Sequence, residues 1–508
     1  VSLDAGLRII KGQVPYRDFF HITTPGAAYL LALAFKALGV NILSARILMV
    51  LVLLGILIVI FLIGKRIVKY SLLLPLGLLI VIFLETLPFI DYSTHRLAVF
   101  FSILTLPVLI GSHGLSSAAL AGLLSSFSFL MNQNIGGIAT LGTAILIFTR
   151  PWFVRRKRIC ADAGSLSLFM LGWFLPIILL LFYLSWKGAI GAFFYDTFLW
   201  PFSGYRSFNI YPYFSFEIGI LRNDLGLINR GAISPAVLGQ IGLYTATGFL
   251  PFIIYPLSMV SSFISREWTL WTVSLTGFCL FLSSWTRPDF FHIVHTLPPL
   301  ILLNTLLLSS LWQGIKRKNR LSFLPFSLLS VLFLLILLDG LMFLSTPQAN
   351  PSYPVRTERG TVFTIIQEEA SELEGVMTYL AANTKKEDPV FIYHWSPALY
   401  FLLGKDNPTS FDSYNPLYNS PEQLALLETQ LEKSRPPLII KDSYIAGFFD
   451  PEGIRHSTFP FIDPAKIISA DTVDTYIQRY YRIAARTQRK YKVGVTTSPY
   501  ILLMRKNP

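Results

Sequence analysis

The chain has 508 residues, of which 53% are hydrophobic and 14% charged, and its formal net charge is +13. With a mean hydropathy of +0.56, this composition fits a polytopic membrane protein and not an ordinary soluble domain. Cys160 and Cys279 are the two cysteines, which excludes a disulfide or cysteine-metal framework.

Residues 1–43 contain two amphipathic pieces. Ala5–Lys11 reads as a short helix that stops at Gly12, and Pro25–Leu38 as a second that opens after Thr23-Thr24 and stops at Gly39. Both suit the membrane interface, with Phe19, Phe20 and Tyr29 at headgroup level. Ten apolar stretches follow: 44–66, 72–90, 96–112, 115–131, 134–149, 165–185, 238–264, 269–286, 293–312 and 322–345. A spanning helix needs about 20 such residues, with a range of about 17 to 25. The pair that meets around Met131–Asn134 is short and also reads as a re-entrant hairpin. The loop 186–237 is aromatic and poor in charge, and its stretch Pro201–Tyr205 is read as a wall for a lipid tail or sugar ring. From about Pro347 charges become frequent and apolar runs shorten. Thr364–Thr384, Pro397–Leu403, Pro421–Lys433 and Thr472–Ala485 read as helices. Pro389–Tyr393 and Leu438–Lys441 read as strands, and Lys492–Thr496 with Tyr500–Met504 as a terminal hairpin. The expected architecture is a multi-spanning α-helical membrane protein (1–43 outer loop, 44–345 membrane region) with a small α/β domain over 346–508.

The basic residues orient it. Alternating spans place Lys65, Arg66, Lys69, Arg150, Arg155, Arg156, Lys157, Arg158, Arg266, Lys316, Arg317, Lys318 and Arg320 on one side. The positive-inside rule makes that side cytoplasmic. The first loop, the 186–237 loop and the C-terminal domain are then extracytoplasmic. Because the charge sits in membrane-flanking groups and not in one stripe, no nucleic-acid partner is expected. A membrane chain that opens on an outside loop implies an earlier span, so an eleventh helix is expected ahead of Val1.

Five polar clusters interrupt the apolar chain, and the expected topology puts all of them outside: Asp4; Tyr16–His21; Asp91–Arg96; Asn132–Asn134; and Arg287–His292. Ionisable groups near the bilayer are expensive unless they face a polar cavity, so they point to function. A carboxylate there suits a general base acting on a hydroxyl. An arginine suits a phosphate oxygen, and an apolar groove beside them suits a lipid tail. The combination suggests transfer from a lipid-linked phosphate donor. The plainer reading of several members is local: Asn132–Asn134 as backbone caps, Asp289 as an N-cap, His95 and Arg96 as the start of a span.

The segment Asp4–Gly39, DAGLRIIKGQVPYRDFFHITTPGAAYLLALAFKALG, is similar to the first extracytoplasmic loop of the GT-C superfamily of membrane glycosyltransferases. The branch is the protein-mannosyltransferase-like and aminoarabinose-transferase-like one. The matching features are Asp4, Gly12, Pro15-Tyr16-Arg17-Asp18-Phe19 and Pro25, and NQNIGG and RPDFFHIVHTLPPL resemble later outer segments. The resemblance implies an inverting transferase on a prokaryotic cytoplasmic membrane. It implies a polyprenyl-phosphate-linked sugar as donor and a glycan, lipid or protein hydroxyl as acceptor, with membrane lipid around the site. Asp4 matches the catalytic carboxylate, and Asp18 the second acidic position of the loop. Arg287 matches a donor-phosphate ligand supported by Asp289 and His292. Substrate contacts are further expected from Arg17, His21, Asp91, His95, Gln133 and Tyr205. Some branches hold a divalent cation between such acids; Asp4 and Asp18 would be its oxygen ligands here. The chain departs from the family in having Ala5 where a second acid often follows the first. The competing expectation is a non-catalytic lipid or polymer transporter, or an envelope-assembly subunit, on the same scaffold.

Overall fold

The computed structural model describes residues 2–67, 92–111, 114–154, 163–202, 235–285, 290–318, 322–344, 350–393, 397–412, 419–442, 472–487 and 500–506, with short pieces at 77, 79–80, 218, 221–222, 225–226, 229, 288, 489–490 and 496–497. The expected span 72–90, apart from residues 77 and 79–80, and the site candidates Asp91, Tyr205, Arg287 and Asp289 lie outside them.

Two short helices open the chain, α1 (Ser2–Ile10) and α2 (Gly26–Leu38). The turn between them needs positive φ at Gly12 (86°), and α2 ends on Gly39 (90°), a backbone region open to glycine without steric penalty. A bundle follows: α3 (Ile42–Ile67), α4 (Thr94–Gly111), α5 (Leu115–Met131), α6 (Gln133–Val154), α7 (Ala163–Trp186), α8 (Ile190–Phe194), α9 (Pro235–Gly248), α10 (Leu250–Ser265), α11 (Trp268–Ser283), α12 (Phe290–Ile293), α13 (Leu297–Lys316) and α14 (Phe323–Leu344). Among the described helices six are long and apolar enough to cross a membrane, or seven if α9 and α10 form one span. The stretch 238–264 is not one straight helix: it breaks at Phe249 with a 43° bend. Pro251 lies in the first turn of α10, where it has no N–H to offer the preceding turn.

The bundle core is continuous from α3 and α4 through α11 to α13, built on side chains such as Ile56, Ile60, Leu97, Ile103, Leu280 and Leu302. By contrast α7 has only Phe169 and Leu184 buried, so most of its surface faces outward, as lipid contact demands. It docks on α5 through glycines. A Cβ on Gly122 would collide with the Phe169 carbonyl, and one on Gly172 with the Ala119 carbonyl. Small residues that let backbones touch are the usual glue between helices in lipid. Gly122→Val should therefore separate α5 from α7 and lower the melting temperature, at about 1–3 kcal/mol for overpacking. An unchanged melting temperature in detergent would refute this.

The C-terminal unit begins with the hairpin β1 (Tyr353–Thr357) and β2 (Gly360–Thr364), then α15 (Gln367–Asn383). A four-stranded sheet has the order β3 (Val390–Tyr393), β4 (Leu438–Asp442), β8 (Tyr500–Arg505), β5 (Tyr481–Arg486), with β3 and β4 parallel and the other neighbours antiparallel. One face packs on α15 and α16 (Ala398–Leu403), the other on α17 (Pro421–Ser434) and α18 (Thr472–Tyr480). A capping box between Ser420 and Gln423 starts α17. Sequence periodicity locates the helices and the strands β3 and β4, but it starts α15 at Thr364, which belongs to β2, and runs α18 on to Ala485. The chain leaves the helix at Tyr480 instead, because Ile483 and Ala485 pair with β8. The expected terminal hairpin does not form, because Tyr500–Met504 lies between β4 and β5 and Thr496 pairs with Lys490. A further two-stranded ladder joins β6 (Arg489–Lys490) to β7 (Thr496–Thr497).

The helix ends sort into two sets. Arg150 stacks on Trp268 and Arg266 on Trp152, bringing the basic ends of α6, α10 and α11 together. At the opposite ends, Tyr92 donates to the Ala27 carbonyl (2.6 Å) and Asn134 to the Ser283 carbonyl (2.7 Å). The C-terminal domain lies on that second face: the Ile42 amide donates to Arg359 O (2.9 Å), and Phe35 stacks on Phe401 with centroids 5.4 Å apart.

Candidate active site

Helix α1 carries Asp4 and Arg8 one turn apart on its buried side; Asp4 is 3% exposed and Arg8 6%. Arg8 extends toward the C-terminal domain. Its Nε donates to Gln13 Oε1 (2.7 Å), one terminal nitrogen bonds Asp412 Oδ1, and the other donates to the Thr409 carbonyl (2.9 Å). Its nearest nitrogen stays 3.9 Å from Asp4 Oδ2. Asp4 Oδ2 and Asp412 Oδ2 are both buried without a hydrogen-bond partner among the described residues. Burial, and then the Asp412 charge, push the Asp4 pKa well above the usual carboxylate value, against the pull of Arg8. Two carboxylates therefore share one guanidinium under the C-terminal domain.

The turn Val14–Thr24 closes this chamber from below. Tyr16 takes φ 70°, a strained value for an aromatic residue. Its hydroxyl donates to the Thr23 carbonyl (2.6 Å), and its ring packs edge-on against Phe193. Asp18 accepts from the Val14 amide (2.7 Å) and pairs with Arg17, which holds its carboxyl below the usual range. So Asp18, as placed, stabilises its own turn. Arg17 is half-exposed and also reaches Lys187 O at 3.5 Å. Arg8 rides 4.8 Å over the Phe19 ring.

Beyond Phe19 is a second buried polar group. His21, 4% exposed, has Nε2 3.2 Å from Thr23 Oγ1 and Nδ1 without a partner among the described residues. Burial lowers its pKa to about 4, so the ring is neutral. Its amide faces Asp196 Oδ2 at 3.4 Å. Burial raises Asp196 to about 7, opposed by that amide. Asp196 lies in a π-helical turn, Tyr195–Leu199, which continues α8; such wide turns concentrate at functional sites. Gln133 binds the two segments: its Oε1 accepts from the Thr24 amide (3.1 Å), and its Nε2 donates to the carbonyls of Ile22 (3.0 Å) and Thr197 (3.3 Å). Those three bonds make Gln133 a clamp.

A third group sits where α4 meets α12 and α13. His95 lies 5.0 Å from His292 and 5.7 Å from His295, ring centre to ring centre, and Arg96 is within electrostatic reach of His295. Arg96 is 1% exposed. Among the described residues no three His, Cys, Asp or Glu side chains converge in a way that could hold a metal ion.

Of the residues expected from sequence, the structure brings Asp4 to a buried charged chamber, His21 to its neighbour, and His95 and His292 to a common cluster. Arg8, Asp412 and Asp196 were not expected. Asp196 did leave a signal: it is the one carboxylate in the aromatic run from Trp186 to Phe216.

No family model matches the sequence, and no curated protein matches it. Its architecture does have counterparts among solved structures. ArnT from Cupriavidus metallidurans superposes with TM-score 0.51 both bound to undecaprenyl phosphate and in the apo state, at 12% and 11% identity over 99% of this chain and 92% of that one. The oligosaccharyltransferase of Archaeoglobus fulgidus, in complex with Zn and sulfate, superposes at 0.50 with 12% identity, over 97% of this chain and 68% of that one. The chain has the GT-C glycosyltransferase fold. Helices long and apolar enough to cross a membrane are joined here to two short N-terminal helices and a C-terminal α/β domain.

Proposed function

We propose that this protein is a membrane glycosyltransferase. It moves a sugar from a polyprenyl-phosphate donor to an acceptor hydroxyl at the extracytoplasmic face, with Asp4 as general base. The observation that carries the reading is Asp4 itself: a buried carboxylate on the first helix of a GT-C-like fold, whose Oδ2 receives no N–H or O–H bond among the described residues and whose basicity is raised by burial and by the adjacent Asp412 carboxyl. The undecaprenyl phosphate bound to ArnT from Cupriavidus metallidurans supports a donor of that class. Asp4 Oδ2 takes the proton of the acceptor hydroxyl as its oxygen bonds the anomeric carbon. The bond from that carbon to the phosphate oxygen breaks, and the polyprenyl phosphate leaves with the electron pair. Arg96 with His95, His292 and His295, and Arg287 next to them in sequence, are the cationic or hydrogen-bonding groups assigned to that phosphate.

The test is incubation of the purified protein with tritiated undecaprenyl-phosphate arabinose, mannose or glucose and a membrane extract as acceptor. Label should leave the lipid and appear on a polar acceptor. Retention of all label on the lipid, with saturable donor binding, would favour a carrier instead. Arg96→Leu should weaken donor binding more than it slows bound donor: KM for the lipid rises about tenfold or more for a lost charge-assisted contact. An unchanged donor KM would remove Arg96 from the phosphate site.

A further inference from the structure

An aspartate and an arginine four residues apart on a helix ordinarily pair. Asp4 and Arg8 have that spacing, yet their ion pair is a long one without a hydrogen bond. The guanidinium is committed to Gln13, Asp412 and the Thr409 carbonyl, and its nearest nitrogen halts 3.9 Å from Asp4. Three fixed partners match the planar fork of an arginine, which is pre-organised for such an arrangement. Two of them belong to the C-terminal domain, 401 and 404 residues away. The domain is itself held down around this point. Lys11 pairs with Asp406, the Phe20 amide donates to the Ser410 carbonyl (2.8 Å), and Phe20 packs on Phe411.

We propose that Asp412 is a positioning residue of the transfer reaction: it draws Arg8 away from Asp4 and so leaves Asp4 an unclaimed oxygen for the acceptor hydroxyl. The proposal rests on the reading of Asp4 as the base. A carboxylate in a tight ion pair is the weaker base, because the cation favours its charged form. Asp412 takes that cation for itself. With Asp412 gone, Arg8 keeps its stem position and has one nearby anion left, Asp4. The C-terminal domain thus acts on the chemistry through one side chain, and undocking it would disable the base without touching it.

The experiment has two readouts. In the cryo-EM structure of Asp412→Asn, Arg8 should move into bonding distance of Asp4 Oδ2; an Arg8 still anchored on Thr409 and clear of Asp4 overturns the proposal. In the tritiated undecaprenyl-phosphate sugar assay, Asp412→Asn should lower kcat about tenfold at unchanged donor KM, as expected when an interaction felt only in the transition state is weakened. Asp412→Glu should recover most of the rate. Adding Arg8→Gln to Asp412→Asn should raise kcat above that of the single variant, since the intruding charge is gone. A double variant slower than Asp412→Asn marks a merely structural role and overturns the proposal. If Asp412→Asn does not fold, Arg8→Lys decides: the charge stays without the three-way anchor, so kcat must fall, and a wild-type rate overturns the proposal. Activity surviving Asp4→Asn would overturn the base assignment instead, a separate outcome.

Discussion

Asp4→Asn should give a folded membrane protein that no longer transfers sugar. The amide has the carboxylate's shape, so it fits the same space beside Arg8 and Asp412, but it cannot take a proton. Loss of a general base slows a reaction by about 10²–10⁴-fold. Folding should not suffer. Asp4 is buried with its pKa raised, chiefly by loss of solvent and next by the Asp412 charge. A carboxyl with a raised folded pKa contributes stability that is fully present below its unfolded pKa and is lost as pH rises through the folded one. Asparagine behaves like the protonated form, so at neutral pH and above the variant should melt no lower than the parent. The wild-type rate should in turn increase with pH along a limb displaced to the alkaline side of an ordinary carboxylate, because only ionised Asp4 accepts the proton. Transfer by Asp4→Asn at the parental rate would end the base assignment.

Asp196→Asn should change stability in a pH-dependent way without such a catalytic loss. Asp196 is buried beside the His21 amide in the π-helical turn, and its pKa is raised to about 7. Its unfolded value is about 3.9. By the same sign argument, the contribution of Asp196 to stability is lost between about pH 4 and pH 7 as this carboxyl is forced to ionise. The full span is on the order of 4 kcal/mol at about 1.4 kcal/mol per pKa unit. Asp196→Asn should remove that slope: melting temperatures should match near pH 4 and the variant should be the more stable at pH 8. His21 acts in the same window with the opposite sign, because it is neutral when folded above about pH 4 and protonated when unfolded up to about pH 6.5; the Asp196 effect is therefore read as the difference between variant and parent at each pH. Parallel stability curves from pH 4 to 8 would mean that Asp196 is not buried as described.

The membrane spans were legible because their signal is local. A run such as Ile42–Ile67 declares itself by composition, and no tertiary contact is needed to exclude water from it. The interfacial helices were legible for the same reason: Gly12 and Gly39 stop them through backbone geometry that adjacent residues dictate. Asp4 stood out as an acid just ahead of a characteristic turn. The break at Phe249 was less legible, because Pro251 bends a stretch whose hydropathy stays uniform. Strand β5 was hidden too, since Tyr481–Arg486 continues a helical pattern and is claimed as strand only by pairing with β8.

What sequence determined by itself, then, is which segments form long apolar helices, where the first two short helices stop, and that an acid stands near the start of the chain. These depend on side-chain transfer energies and on φ values within a few residues. Tertiary structure alone decided what surrounds that acid. Arg8 bonds Asp412 across 404 residues and keeps only a longer ion pair with Asp4 across four, and Asp196 meets the His21 amide across 175. Such choices depend on burial and on which charges compete for one guanidinium. Both are set only after the C-terminal domain has docked on the first loop.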